Sequence, residues 1–167
     1  MIALSLCRKI PEDAAVAFSW RNDPATIASS YLPLPKTWDS FWLEYEELYF
    51  DVPGLFPRFI LKDGEKVGFI RFEKTSVSRS GEETDAEIII NIRPENRRQG
   101  IACLAVEKVK EEMRAAGVRA LVADIRRENT PSVRLFEKCG FSFYAERSEF
   151  VSKIQKKCHI LRYCCVL

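Results

Sequence analysis

The pattern of apolar and polar positions alternates between strand-like and helix-like stretches along the chain. Residues 2–8 form a β-rich run and predict a first strand, and residues 11–23 predict a first helix with a proline near its start. From Trp38 onward, aromatic and apolar residues recur at spacings of three and four, which predicts another helix. These residues are Trp38, Phe41, Trp42, Tyr45 and Leu48. They share one helix face, and we expect that face to pack in the core.

Residues 58–74 predict a β-hairpin. Two β-rich runs are separated there by Asp63 and Gly64, and glycine accepts the positive φ that a tight hairpin turn requires. The polar stretch that follows, residues 76–85, predicts an exposed loop before the next strand.

A buried strand followed by a long helix is predicted next. Residues 86–92 contain four isoleucines without clean alternation, which indicates a strand buried on both faces, and Pro94 ends it. The helix is predicted from Ala102 to a stop at Gly117. Its apolar face is predicted at Ala102, Val106, Val109, Met113 and Ala116.

The remaining segments continue the alternation of strands and helices. Residues 119–126 predict a buried strand, and residues 128–141 a short helix with Pro131 in its first turn and Gly140 just past its end. Residues 159–167 predict a closing strand. The final CCVL fits a prenylation motif, but we expect it to form part of this strand and not to be modified. This order predicts a sheet with helices on its faces and a ligand crevice at the carboxyl ends of the central strands.

The composition is that of a single globular domain. The chain has 167 residues, of which 47% are hydrophobic and 30% charged, with a net charge of +2, so nothing favours a nucleic-acid partner. Apolar runs stay below the roughly 18 residues of a membrane helix, and we expect a cytoplasmic protein without a membrane partner. The six cysteines lack a CxxC spacing, which favours buried free thiols over disulfides or a metal site.

The segment between the buried strand and the long helix predicts an anion site. The unpaired NH groups of a helix's first turn bind phosphate oxygens, and Gly100 would let a ligand approach the backbone closely. Arg97 or Arg98 could add a side-chain contact. The sequence lacks both GxxxxGK[ST] and a GxGxxG after the first strand, which argues against kinase and dehydrogenase functions.

Two motifs resemble those of the GNAT N-acetyltransferase superfamily. Residues 97–102, RRQGIA, resemble its pyrophosphate loop R/Q-x-x-G-x-G/A, and residues 128–141 are similar to its N-x-x-[SA]-x-x-[FL]-[YFL]-x-K-x-G-F segment. The aligned positions of the second motif are Asn129, Ser132, Phe136, Lys138, Gly140 and Phe141. The motif resemblance covers residues 86–146, and the branch most similar acetylates ribosomal proteins or nucleotide-linked amino sugars. The first eighty residues agree with the family in element order only.

The resemblance implies an α+β (mixed α/β) GNAT fold in one domain, residues 1–167. Its central mixed, largely antiparallel sheet would have about seven strands, helices on both faces and a splayed central strand pair. Residues 1–85 would form the acceptor-binding half, 86–146 the acetyl-CoA-binding core, and 147–167 the C-terminal strands.

Acetyl-CoA is the cosubstrate that the resemblance implies, and no metal is expected. The backbone of residues 90–92 would pair with the pantetheine arm, NH groups of residues 98–102 would hold the pyrophosphate, and Asn129 would reach the pantetheine. The implied donor-site residues are Ile90, Asn91, Ile92, Arg97, Arg98, Gln99, Gly100, Ile101, Ala102, Asn129, Ser132 and Phe136.

Acetyl transfer to an amine requires a base for the ammonium proton and an acid for the leaving thiolate. Glu87 is the first candidate base, because it opens the central strand in a way that resembles the catalytic glutamate of the histone-acetylating branch; the alternative is a solvated carboxylate at a strand end. Glu73 could act instead through water. Phe136 occupies a position where many family members carry tyrosine. The segment also resembles the ribosomal-protein acetyltransferase branch, which implies that Ser132 could supply the proton, with Tyr144 or solvent as the alternatives.

The amino-terminal half would set the acceptor. It resembles the acceptor-binding part of enzymes that acetylate nucleotide-linked amino sugars, so Arg21 and Asn22 would bind the acceptor, with Arg21 holding a phosphate, and Trp38 or Trp42 would stack on a ring. The primary prediction is a small-molecule primary amine. The alternatives are a protein amino terminus, as in ribosomal-protein acetylation, and a non-catalytic acyl-CoA sensor. A monomer or a homodimer is expected.

Overall fold

The computed structural model describes residues 1–75 and 85–167. Its strands are β1 Ile2–Leu6, β2 Arg58–Lys62, β3 Glu65–Lys74, β4 Asp85–Ile92, β5 Ala120–Arg126, β6 Ser142–Val151 and β7 Lys156–Val166. Its α-helices are α1 Pro11–Arg21, α2 Pro24–Ser29, α3 Trp38–Glu47, α4 Ile101–Ala115 and α5 Thr130–Lys138. The loop predicted over residues 76–85 lies outside the described residues except for Asp85, which begins β4.

The seven strands form one mixed sheet in the order β1-β2-β3-β4-β5-β7-β6. The β4–β5 pair is parallel and the other neighbours are antiparallel. Residues 85–87 of β4 pair with residues 120–122 of β5, and beyond these three pairs the two strands separate. The predicted mixed sheet and its splayed central pair are confirmed, and the separation creates a gap inside the sheet.

The helices cover both faces of the sheet. On one face, α4 and α5 bury a large cluster that includes Phe72, Ile88 and Leu121. On the other face, α1 and α3 pack on β2 and β3 through an aromatic cluster that includes Tyr45 and Phe69. Alternation along each strand produces the two clusters, since neighbouring residues point to opposite faces.

Helix α4 begins one residue before the predicted start and ends where predicted. Its buried residues are Ile101, Ala105, Val106, Val109 and Met113. The predicted face was therefore wrong at its ends, because Ala116 is exposed and Ala102 only half-buried. Gly117, with φ 81°, ends the helix, and the NH of Val118 donates to the carbonyl of Met113 at 3.0 Å.

The aromatic face predicted for α3 is buried only at its centre. Phe41 and Tyr45 are buried, whereas Leu48 lies just past the helix end and is 55% exposed. Trp38, in the first turn, is 36% exposed. The spacing thus identified the correct face, but both ends of the helix extend beyond the sheet that it covers.

Helix α2 was missed by the sequence analysis. It has six residues, too few to show a hydrophobic period, and depends on its cap and on distant contacts. Asp23 caps it by accepting the NH of Thr26 at 2.9 Å, and Arg126 Nη1 donates to the carbonyl of Ala28 at 3.2 Å.

The closing strand and the free thiols are found as predicted. β7 lies inside the sheet, between β5 and β6. None of the six cysteines forms a disulfide, and five are buried, while Cys103 is half-buried with its Sγ 3.3 Å from that of Cys139. The longest helix in the described parts of the chain has 15 residues, and none there combines the length and apolarity that a bilayer crossing requires.

A tight backbone approach on β3 gives a stability prediction. A Cβ on Gly68 would lie 2.9 Å from each of the Asn91 carbonyl oxygen, Ile60 Cδ1 and Ile92 Cδ1. We expect Gly68→Ala to lower the free energy of unfolding by about 2 kcal/mol, because the new methyl overpacks the core although alanine normally suits a strand better. Urea denaturation measures this.

Ile60→Val supplies the control, since it removes the Cδ1 atom that the new methyl would meet. The double variant should be more stable than the sum of the two single changes implies. Equal stability of Gly68→Ala and the parent protein would contradict the predicted close approach.

Candidate active site

A cavity of about 450 Å³ lies where β4 and β5 separate. Neighbouring residues such as Ile88 and Ile89 both line it, although their side chains point to opposite faces, so the cavity passes through the sheet. Residues 87–91 and 123–126 line it from the two strands. Helix α5 borders one side, and residues of α1, α2 and α3 border the other.

The segment before α4 forms a backbone cradle. Gly100 is the N-cap of α4 with φ 75°, and Arg98 has φ 60°. The first helical bond runs from the NH of Leu104 to the Gly100 carbonyl at 3.2 Å, which leaves the preceding NH groups of the turn for a ligand. A Cβ on Gly100 would meet nothing within 4 Å. The open approach and the NH groups fit a phosphate.

The side chain of Arg97 is directed into the protein. Its Nε donates to the Ile92 carbonyl at 2.9 Å, and its Nη2 donates to Asp23 Oδ2 at 2.9 Å and to Thr26 Oγ1 at 2.8 Å. Arg97 therefore joins the cradle to the start of α2. Of the two arginines considered for an anion contact, Arg98 is exposed.

Gln99 and residues 101–102 complete the cradle. Gln99 Nε2 donates to the Glu95 carbonyl at 3.1 Å, and its Oε1 accepts from Lys62 Nζ at 2.9 Å. Ile101 is buried in the core, and Ala102 is half-buried. The backbone of this segment is thus anchored on its inner side, while Gly100 stays exposed.

Asn129 begins α5 at the edge of the cavity. Its Oδ1 accepts the NH of Ser132 at 3.3 Å, and its Nδ2 donates to the Ser29 carbonyl at 3.4 Å. Ser132 and Phe136 line the cavity. Tyr144 is not among the lining residues and is 41% exposed on β6. The structure thus brings Ser132, but not Tyr144, to the cavity wall.

Two carboxylates face each other across β3 and β4. Glu73 and Glu87 are cross-strand partners, and both line the cavity. Burial raises the pKa of Glu87 to about 7, and the negative charges of Asp124 and Glu73 add to the rise, while Arg162 and Arg71 oppose it. A carboxyl group with this pKa can exchange a proton near neutral pH.

Glu73 is in a different environment from its partner. It forms an ion pair with Arg71, and its side chain is 43% exposed. Arg71 Cζ lies over the ring of Tyr49, 4.6 Å from its centroid. Its Nη2 lies 4.0 Å from Glu44 Oε1. Glu73 is therefore charge-paired and Glu87 more desolvated.

In residues 1–75 and 85–167, no three His, Cys, Asp or Glu side chains group as a metal site would require.

Arg21, at the end of α1, lies in the wall of the cavity opposite α5. Its Nη2 donates to the carbonyls of Leu32 at 3.1 Å and Leu34 at 3.4 Å. Its Nη1 is buried and has no hydrogen-bond partner within the described residues. Burial lowers the pKa of the guanidinium. An unsatisfied buried donor on a cation is costly without a partner, so this group is suited to an anion.

The other three residues predicted to bind the acceptor lie outside the lining of the cavity. Asn22 forms two hydrogen bonds with the backbone of Lys36. Its Nδ2 donates to the Lys36 carbonyl at 2.7 Å, and its Oδ1 accepts the Lys36 NH at 2.9 Å. Trp38 stacks on Trp42 with ring centroids 6.0 Å apart and meets Phe18 edge-on. Their placement gives no support to a role in ring stacking on an acceptor.

The cavity also contains charged residues that the sequence analysis did not single out. They are Lys36, Arg71, Asp124, Arg126 and Arg147. Asp124 interrupts an otherwise apolar strand, and that interruption was the available signal. The others sit on strand or loop positions whose side-chain direction depends on the three-dimensional register.

The family follows from residues 5–142, which match the model of the acetyltransferase (GNAT) domain. The chain belongs to the GNAT family. Its predicted membership and fold are both confirmed. Among curated proteins, none matches the sequence at a significant level.

Solved structures of GNAT enzymes resemble this GNAT chain over almost its whole length. Spermidine N-acetyltransferase from Vibrio cholerae, solved with CoA and spermine, is 18% identical with a TM-score of 0.78, covering 99% of this chain and 95% of that one. Phosphinothricin acetyltransferase from Sinorhizobium meliloti, in complex with acetyl-CoA, is 16% identical with a TM-score of 0.78, covering 99% and 88%. Ribosomal-protein-alanine N-acetyltransferase from Brucella melitensis is 16% identical with a TM-score of 0.77, covering 99% of each chain. At these identities the likeness shows a common fold.

The desolvation of Glu87 in the GNAT domain gives a pH-dependent stability prediction. Its pKa in the folded protein, about 7, lies above the ordinary value of 4.5, so folding favours the protonated form. Stability is therefore lost as pH rises from about 4.5 to 7. We expect Glu87→Gln, which stays neutral, to raise the free energy of unfolding by about 2 kcal/mol more at pH 8 than at pH 5.

Urea denaturation at the two pH values tests this, with Glu65→Gln as the control because Glu65 is an exposed carboxylate on β3. The control should show little difference between pH 5 and pH 8. A gain from Glu87→Gln that is the same at both values would contradict the expectation.

Proposed function

We propose that this GNAT domain transfers the acetyl group of acetyl-CoA to the primary amine of a small molecule that also carries an anionic group. The observation that carries the proposal is the cavity through the sheet. Glu87 and Arg21 line it, Arg21 from the side opposite α5, and α4, which the backbone cradle precedes, packs in the same core cluster as α5. A donor and an acceptor can thus enter from opposite faces and meet between β4 and β5.

The residues of the donor side fit acetyl-CoA, which supplies an activated acetyl thioester when bound. The cradle at Gly100 offers NH groups to a pyrophosphate. Past Glu87 the inner edge of β4 is no longer paired with β5, so the peptide groups of Ile90 and Asn91 are available to the amides of a pantetheine arm. Asn129, Ser132 and Phe136 border the same side.

Glu87 acts as the proton acceptor in this proposal. An amine must lose its ammonium proton before it attacks, and a base with a pKa of about 7 can take that proton, directly or through water, at neutral pH. Glu73 is the alternative, and it is held in an ion pair with Arg71. Ser132 lines the cavity and can donate a proton to the leaving thiolate, with solvent as the other source.

Arg21 selects the acceptor in this proposal. Arg21 lines the cavity and its Nη1 has no partner in the described residues, so a carboxylate or phosphate on the acceptor would provide the missing partner. Nucleotide-linked amino sugars and α-amino acids both combine an amine with such a group. Trp38 and Trp42 lie outside the cavity lining, so stacking on a base or sugar ring is not part of the proposal.

CoA binding tests the donor site. We expect Gly100→Ala to raise the dissociation constant for CoA by about tenfold, because the methyl group occupies space through which a phosphate approaches. Isothermal titration calorimetry measures the constant.

Gly117→Ala is a matched control at the other end of α4. Gly117 also has a positive φ, 81°, and its added Cβ would also meet nothing within 4 Å. Alanine strains the backbone to a similar extent at both positions, so only the variant at Gly100 should lose CoA affinity. Unchanged affinity in both variants would contradict the proposed cradle.

An acceptor panel tests the reaction and the role of Arg21. Amines are compared in pairs that differ only in the anionic group, such as an α-amino acid and its decarboxylated amine, or an amino sugar phosphate and the free sugar. We expect release of free thiol from acetyl-CoA to be faster with the anionic member. Arg21→Met should raise KM for that member about tenfold and leave the other unchanged.

Arg114→Met, an exposed arginine on α4, serves as the control and should change neither KM. Turnover of peptides with a free amino terminus, but of none of the small amines, would instead favour a protein acetyltransferase. CoA binding without thiol release for any amine would favour a sensor.

A further inference from the structure

A row of charged side chains crosses one face of the sheet beside the cavity. Glu73 on β3 is the cross-strand partner of Glu87 on β4. Glu87 pairs with Val122 on β5, and Asp124, two residues further along, points to the same face. Asp124 is in turn the cross-strand partner of Arg162 on β7. Three carboxylates therefore stand in neighbouring strands, and an arginine follows them.

Asp124 is held as a carboxylate by two arginines. Arg162 binds it through two bonds, Nε to Oδ1 at 2.7 Å and Nη2 to Oδ2 at 2.8 Å, and Arg147 Nη1 lies 2.7 Å from Oδ2. The side chain of Asp124 is 6% exposed and that of Arg162 is 9% exposed. Burial alone would raise the pKa of Asp124, but the bonds from Arg162 and Arg147 lower it below its usual value.

Glu87 experiences this pair together with the other charges around the cavity. On β3 these are Glu73 and Arg71, on β5 it is Arg126, and on β7 and β6 they are Arg162 and Arg147. The ionisable groups on the opposite wall are Arg21, Tyr31, Lys36 and Tyr49, with Glu44 paired to Lys36. Among all of these, Asp124 acts most strongly on Glu87, and Arg162 opposes it.

We propose that Asp124 and Arg162 act on Glu87 with opposite sign, and that the balance between their two charges fixes its proton affinity and so the pH range in which the site accepts the proton of the acceptor amine. Asp124 is a positioning residue in this sense, because it acts through Glu87 and not on the substrate. The proposal rests on the function proposed above, since it takes Glu87 as the base.

A purely structural role would predict a different result. Buried Arg–Asp pairs also join strands, and breaking one usually lowers stability whichever partner is removed. Removal of either charge would then damage the site in the same way. Control of Glu87 by charge instead predicts opposite effects, because the two partners carry opposite signs.

The experiment compares Asp124→Asn with Arg162→Gln. Asp124→Asn removes a negative charge near Glu87 and leaves Arg162 unneutralised. The acidic limb of the pH profile of kcat/KM should therefore move to lower pH by about one unit. Arg162→Gln leaves the carboxylate unneutralised, so the limb should move up by a similar amount. In Asp124→Asn/Arg162→Gln the limb should return close to that of the parent protein.

Two further variants keep the test informative if Arg162→Gln does not fold. Arg147→Gln removes a cation from the same carboxylate without breaking the two bonds from Arg162, and should move the limb up by a smaller amount. Asp13→Asn is the matched control, because Asp13 is also buried and bound by Arg8 and Lys66, but lies outside the cavity lining. It should lower stability and leave the limb in place.

Carbon-13 titration of the Glu87 carboxyl group, assigned by comparison with Glu87→Gln, separates this inference from the proposed function. Opposite shifts of its titration midpoint in Asp124→Asn and Arg162→Gln would support the inference even if no amine is acetylated. Shifts in the same direction, or no shift in either variant, would overturn it whether or not the protein is active.

Discussion

The separation of β4 from β5 is the constraint on which the site depends. Three residue pairs join the two strands, and beyond them each strand keeps only its outer partner, β3 or β7. Both backbones stay ordered, while their inner edges face a cavity. Peptide groups inside a sheet are costly to leave unpaired, so such a gap is stable only where water or a ligand completes their bonds. The same gap lets groups from both faces of the sheet reach one point.

The elements that the sequence predicted correctly are those with a strong local signal. The hairpin at Asp63 and Gly64 depends on a turn that few residues can adopt, and both have positive φ. Helices α4 and α5 have proline or glycine at the expected ends, and the loop at Gly100 occurs in a recognisable motif. By contrast, α2 is fixed by Asp23, by Arg97 from far along the chain and by Arg126. Contacts at that separation leave no period in the local sequence.

The candidate site was only partly predictable for a related reason. Glu87 became a candidate through its place at the start of a strand and its resemblance to a family glutamate, but its pairing with Glu73 and its nearness to Asp124 depend on how three strands are aligned. A shift of one residue in any of them would move a carboxylate to the other face. Arg97 shows the opposite case, since its motif suggested a ligand contact whereas its guanidinium binds Asp23 within the protein.

The position of β7 affects how the chain can fold. β5 is complete by residue 126, but its antiparallel neighbour begins only at residue 156, after α5 and β6 have been made. During synthesis β5 therefore presents an edge of unpaired NH and carbonyl groups until β7, some thirty residues later, docks on it. Non-local pairing of this kind slows folding. A chaperone that shields β5 during that interval would protect the nascent chain from aggregation.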